Sequence, residues 1–169
     1  MKQEKKLSAE ELANIEWAKN NLSVGMKLKG KVKNVKPFGV FVTLKDGVDG
    51  LLLVKNMSVS RIKDPNELFK KGDIIDVLIK ELDKETGNII LSHKEFLGTW
   101  EENVEKIKVG DIVTGTIRDT TRGGIFIELM PNLVGLAEHK SGLEYGEKVQ
   151  VRIKRISPEN HKIKLVILD

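Results

Sequence analysis

One stretch of this chain is written twice. Gly30-Lys31-Val32 recurs as Gly115-Thr116-Ile117, and the same offset matches Gly39-Val40-Phe41-Val42 with Gly124-Ile125-Phe126-Ile127 and Leu44 with Leu129. One added residue in the second copy then sets Val48-Asp49-Gly50-Leu51 against Leu133-Val134-Gly135-Leu136. Further on, Gly72-Asp73-Ile74 pairs with Gly146-Glu147-Lys148, and Ile89-Ile90-Leu91 with Ile163-Lys164-Leu165. A single unit used twice is the simplest source of such self-similarity, so 169 residues divide into two small domains instead of one large one.

Each copy contains five alternating or apolar runs, at 26–36, 39–45, 49–54, 74–82 and 88–93, and again at 111–119, 124–129, 133–137, 147–156 and 162–168. Lys45-Asp46-Gly47, Glu85-Thr86-Gly87-Asn88, Met130-Pro131-Asn132 and Ser157-Pro158-Glu159-Asn160 punctuate them as turns. Short strands at even spacing predict small closed barrels. The expected fold is all-β: two five-stranded barrels in tandem, with a short N-terminal helical segment over 1–23, barrels over 24–94 and 109–169, and a helical linker over 95–108. Only the first copy has room for an insertion between strands three and four, where Asp64-Pro65-Asn66-Glu67 carries a cap, a Pro and a Glu at helix-starting positions. The second copy shortens that link to Glu138-His139-Lys140-Ser141-Gly142.

Outside the strands, Ser8 and Glu11 form a capping-box pattern, continued by a thin stripe of Leu12, Ile15 and Leu22 with Trp17 beside it. Such a stripe packs on the strands after it or links to another segment. Leu97, Trp100, Val104 and Ile107 recur at helical spacing and predict one amphipathic helix over 95–107. Trp100 on that stripe reads as a packing anchor between the barrels, not as a ligand contact.

Alternation decides what each side chain in the first hairpin sees. Leu28 and Val32 point one way, and Lys27, Lys29, Lys31 and Lys33 the other. On the second strand Val40, Val42 and Leu44 form the apolar face, which leaves Phe41 with Thr43 and Lys45 on the wet side. An aromatic among lysines on an outer β face suits stacking of unpaired bases. From these residues alone, Phe41 reads equally well as part of a second small cluster under a loop. Residues 24–94 carry 14 Lys and Arg against 9 Asp and Glu, while 109–169 carry 9 against 8. The basic excess therefore sits with the first copy, where a polyanionic partner fits.

Other chemistries find little footing. There is no cysteine, hence no disulfide framework or thiolate metal site, in agreement with a reducing compartment. His93, His139 and His161 are scattered without ligand spacing, and no Gly-rich loop ending in Lys-Ser/Thr is present. No apolar run reaches the roughly 18–20 residues of a membrane span. The expectation is a cytoplasmic protein that is not an enzyme, with no cofactor, no metal and no membrane partner.

Taken together, Gly30-Lys31-Val32, Pro37-Phe38-Gly39-Val40-Phe41-Val42, Gly50-Leu51, Asp64-Pro65, Gly72-Asp73, Asp83 and Ile89-Ile90-Leu91-Ser92 closely resemble the S1 domain, an RNA-binding module of the OB fold. Residues 109–169 resemble a shortened, divergent member, and Leu97-Gly98-Thr99-Trp100-Glu101 is similar to linkers between tandem S1 domains. The whole chain resembles a part of an S1-repeat protein of the bacterial ribosome. The resemblance implies single-stranded RNA, in translation mRNA, as the ligand, and the small ribosomal subunit or an RNA-processing complex as a partner. An alternative is a protein-interaction adaptor, or an accessory module of an RNA-processing or transcription complex.

The family's contacting pattern is two aromatics on the second strand, a His on the third, an Asp ending the fourth and an Arg opening the fifth. Phe38, Phe41 and Asp83 match it, while Leu53 and Asn88 depart from it. The second copy keeps Phe126 but has Gly123, Glu138, Ser157 and Lys162 at the remaining positions. The implied RNA contacts are thus Phe38, Phe41 and Asp83, with Lys29, Lys31, Lys33 and Lys36 along a phosphate path. Phe126 and Lys162, with Arg118 or Arg122 nearby, would continue the track.

Overall fold

The computed structural model describes residues 7–168. By internal contacts they fall into two units: one runs to Met57 and resumes over Lys63–Phe96, the other comprises Ser58–Ile62 and the chain from Leu97 onward.

The first unit is a closed barrel of β1 (Lys27–Lys36), β2 (Gly39–Lys45), β3 (Val48–Leu53), β4 (Ile74–Leu82) and β5 (Ile89–Ser92) in the order β1-β2-β3-β5-β4. Neighbours are antiparallel except β3 and β5, which run parallel through Leu51↔Ile90 and Leu52↔Leu91. The second unit repeats this circuit with β6 (Ile112–Thr121), β7 (Gly124–Met130), β8 (Leu133–Ala137), β9 (Lys148–Ser157) and β10 (Lys162–Ile167). Closure removes the open sheet edges that invite aggregation.

The inward residues of each barrel are β-branched or leucine. Val32, Val40, Val42, Leu52, Val77, Ile79 and Leu91 fill the first core, and Ile117, Ile125, Ile127, Leu133, Val151, Ile153 and Ile163 the second. Each such side chain contributes about 1.5–3 kcal/mol by leaving water. The glycines that anchor the repeat have a steric cause: a Cβ on Gly30 would run into Val42, and one on Gly115 into Ile127.

Strict alternation fails at three places in each copy, one of them in the first hairpin. The β1–β2 register slips between Val32 and Asn34, and the β6–β7 register between Ile117 and Asp119. These bulges leave Lys33 and Arg118 as extra residues and turn Val35 and Thr120 back into step with Val40 and Ile125.

Helix α1 (Ala9–Asn21) starts where Ser8 accepts a hydrogen bond from the Glu11 N–H at 3.0 Å. It packs on the first barrel through Ala18, Leu22 and Trp17, and Lys45 Nζ lies 4.3 Å from the Trp17 ring centre. Leu12, expected on the buried stripe, is 54% exposed; Ala18 takes its place because the packed face is narrow. The single helix expected over 95–107 is instead a 3-10 turn at Lys94–Leu97 and a short helix α2 (Trp100–Val104). Gly98 at φ +89° breaks the run and Thr99 caps the second piece. Trp100, Val104 and Ile107 belong to the second core, and the Trp100 ring stacks on His161 at 4.6 Å.

Candidate nucleic-acid interface

The β1–β2–β3–β5 side of the first barrel is built around Phe41. Its cross-strand neighbours are Asn34 on β1 and Leu51 on β3, and Leu51 is in turn opposite Ile90 on β5. Since paired residues share a face, these four side chains make a row across the outside of the sheet, with Phe41, Leu51 and Ile90 half-buried. Phe38, in the turn that opens β2, is 53% exposed. Its ring meets Phe41 edge to face, 6.0 Å between centres at 86°. Two aromatics at such a distance, with apolar flanks and an accessible upper ring, form a surface on which flat π systems can stack.

Lys27, Lys29, Lys31 and Lys33 do not form the uniform row that alternation suggests, and Lys36 lies beyond it at the end of β1. Lys31 lies opposite Thr43 and Lys36 opposite Gly39, both exposed. Lys33, displaced by the bulge, reaches Asp49 Oδ2 at 2.8 Å, while Thr43 Oγ1 donates to Asp49 Oδ1 at 2.9 Å. Lys29 pairs with Asp76 at 3.3 Å. Exposed pairs of this kind contribute only about 0–1 kcal/mol, so an arriving phosphate competes with them at little cost.

Asp83 sits at the β4–β5 turn, beside the end of the row. Its Oδ1 accepts from the Glu85 N–H at 2.9 Å and the Thr86 N–H at 3.3 Å. These bonds, first that from Glu85 and then that from Thr86, hold its carboxyl below the ordinary 3.8. The Asp83 N–H donates to Asn88 O at 2.9 Å, so Asp83 and Asn88 are fastened together two residues from Ile90.

In the second barrel the equivalent row runs Asp119, Phe126, Leu136 and Lys164. Phe126 is 39% exposed but has no aromatic companion, because Gly123 stands where Phe38 does. Arg122 is exposed in the β6–β7 turn, and Lys162 is exposed at the start of β10, two residues from Lys164. Arg118 is not available for RNA. It is buried at the bulge, with Nε 2.9 Å and Nη2 2.8 Å from Glu128 Oε2, and its guanidinium lies over the Tyr145 ring. Alternation puts it beside Phe126; the slipped register carries it to Glu128.

Asn34, Leu51 and Ile90 belong to the face without any signal in the sequence that marks them. Leu51 and Ile90 read as generic strand residues until pairing places them beside Phe41, and Asn34 reaches it only through the bulge. The histidines have local duties: His93 Nδ1 lies 2.7 Å from Asp76 O, and His161 Nε2 lies 2.7 Å from Glu101. No group of three or more His, Cys, Asp or Glu among the described residues is arranged to hold a metal. No helix among them is long and apolar enough to cross a membrane.

Residues 21–94 match the family model described as the S1 RNA binding domain. Over 95% of its length the chain is 37% identical to a protein of Leuconostoc lactis named small ribosomal subunit protein bS1, of which it spans 40%. It is 31% identical over 86% of its length to a small ribosomal subunit protein bS1 homolog of Bacillus subtilis, spanning 41% of it. A 4-hydroxy-3-methylbut-2-enyl diphosphate reductase of Clostridium acetobutylicum is 34% identical over 88% of the chain, which spans 25% of that protein. The chain therefore covers less than half the length of each of these relatives.

Proposed function

We propose that the protein, whose residues 21–94 match the S1 RNA binding domain model, binds single-stranded RNA without catalysing a reaction on it. The observation that carries this reading is the Phe38–Phe41 pair, an exposed ring in the turn before β2 set against a half-buried one on its outer face. Successive bases stack on the two rings, each stack contributing about 1–3 kcal/mol. Lys31 and Lys36 meet phosphates first, and Lys29 and Lys33 join when phosphate displaces Asp76 and Asp49. Asp83 acts mainly by holding the β4–β5 turn beside the face, with its second oxygen left to meet a base or ribose donor. Phe126, Arg122 and Lys162 give the second barrel a weaker site of its own.

The bS1 relatives are named for the small ribosomal subunit, and we propose that subunit as the partner, with mRNA as the ligand and the cytoplasm as the place of action. The portion shared with the reductase is a quarter of that protein, and we read it as an appended binding module and not as the part that reduces substrate.

The test is fluorescence anisotropy of the intact chain with labelled oligo(U) at two salt concentrations. Phe38→Ala with Phe41→Ala weakens binding by roughly one to four orders of magnitude in Kd, and wild-type affinity falls as salt rises. Unchanged affinity in a folded double variant overturns the proposal.

A further inference from the structure

The two barrels differ where β3 and β8 end. After Leu53 the first copy turns through Val54–Asn56 and sets Asn56, 1% exposed, against the end of β5. The Asn56 carbonyl accepts the His93 N–H at 2.9 Å and the Ser92 hydroxyl at 3.3 Å. Its Nδ2 donates to Leu91 O at 3.2 Å, and its Oδ1 accepts from Lys80 Nζ at 3.0 Å. One residue thus covers a strand end and satisfies a lysine.

In the second copy β8 stops at Ala137, and among the described residues no counterpart of the Asn56 bonds to the strand end occurs. β8 meets β10 only through Leu136↔Lys164 and Ala137↔Leu165, while β10 continues to Ile167. By register the positions of Lys80 and His93 are filled by Lys154 and Ile167. The Leu168 N–H bonds to Gln150 O on β9 at 2.8 Å. In an antiparallel ladder the preceding residue then points its own N–H away from β9, toward the uncovered side. A cleft of about 500 Å³ opens there, lined by Gly123, Leu136, Lys154, Lys164, Val166 and Ile167 among others. Among the described residues, the Ile167 N–H makes no backbone bond outside the strand ladder and Lys154 Nζ makes no ion pair.

We propose that this cleft receives an extended acidic segment of a partner protein, laid alongside β10. A backbone carbonyl of the segment accepts the Ile167 N–H, carboxylates meet Lys154 and Lys164, and an apolar side chain covers Leu136 and Val166. Strand addition of this type takes affinity from edge hydrogen bonds and register from alternate side chains. The charge is complementary: His139 and Lys140 also border the cleft, and Glu138 is the one acid among its lining residues. Leu136 and Lys164 also belong to the Phe126 row, but RNA suits the cleft less well than peptide, since no aromatic lines it.

The experiment uses the whole ¹⁵N-labelled chain and an eight-residue peptide alternating Glu and Val. Binding shifts the amide signals of Lys154, Lys164 and Ile167 and slows hydrogen exchange at the Ile167 N–H. Lys154→Glu with Lys164→Glu weakens it by roughly tenfold or more while the dispersed amide spectrum persists, and Phe38→Ala with Phe41→Ala leaves it unchanged. Absence of any effect at Ile167 overturns the proposal. So does oligo(U) shifting the same three amides at lower concentration and losing that effect in the double lysine variant, which gives the cleft to RNA.

Discussion

Lys33 Nζ lies 2.8 Å from Asp49 Oδ2 at the rim of the aromatic face. The second barrel repeats this relation, with Arg118 at the equivalent bulge bound to Glu128 at 2.8 Å. The two pairs differ in surroundings. The Lys33 side chain is 54% exposed, whereas that of Arg118 is 9% exposed. The first is a charge that can be lent to a ligand; the second is part of the barrel.

Asp49→Asn therefore strengthens RNA binding. The asparagine still accepts the Thr43 hydroxyl but no longer competes for the Lys33 ammonium. Affinity for oligo(U) at low salt rises severalfold, and the plot of log K against log salt steepens by about one unit, the weight of one more phosphate contact. A slope equal to that of the wild type shows that Lys33 makes no phosphate contact.

Arg118→Met lowers stability without touching the aromatic face. It leaves the Glu128 carboxylate largely buried and unpaired, a change that costs roughly 3 kcal/mol. Urea unfolding followed by Trp100 fluorescence reads the loss. Adding Glu128→Gln to the same chain recovers part of it, because the remaining group is neutral. Binding of oligo(U) at Phe38 and Phe41 is unaffected by either variant.

Asp83 ties the turn beside the face to pH. Its folded carboxyl titrates below the unfolded value of 3.8, so its contribution is present above that value and is lost as pH falls below it toward the folded pKa. Asp83→Ala abolishes this acid limb and speeds hydrogen exchange at the Glu85 and Thr86 amides at neutral pH. Asp83→Asn, which keeps a carbonyl acceptor, restores the slow exchange but not the pH dependence. Amide exchange of the three chains at matched pH separates these outcomes.

Much of the candidate face is legible in the amino-acid sequence. Phe38, Phe41 and Phe126 stand out because aromatics are few and each sits within two residues of a repeated glycine. Leu12 and the long linker helix mislead for a shared reason. Helical periodicity says which residues can share a face, whereas Ala18 and Gly98 show where the face narrows and where the backbone turns. The lysine row misleads because a bulge is a property of two paired strands, and nothing around Val32-Lys33-Asn34 announces it.

The pair of barrels is already written in the order of residues. Alternation at period two assigns each residue to the inside or outside of a strand, and Gly30 and Gly115 sit where strands come too close for a side chain. Both are local properties, carried within a few residues. Which charge meets which is settled only by folding: Lys33 with Asp49, Arg118 with Glu128, Lys80 with Asn56, and Lys154 with an open cleft. Those partners are brought together by register between strands distant in the chain, and one slipped residue is enough to exchange them.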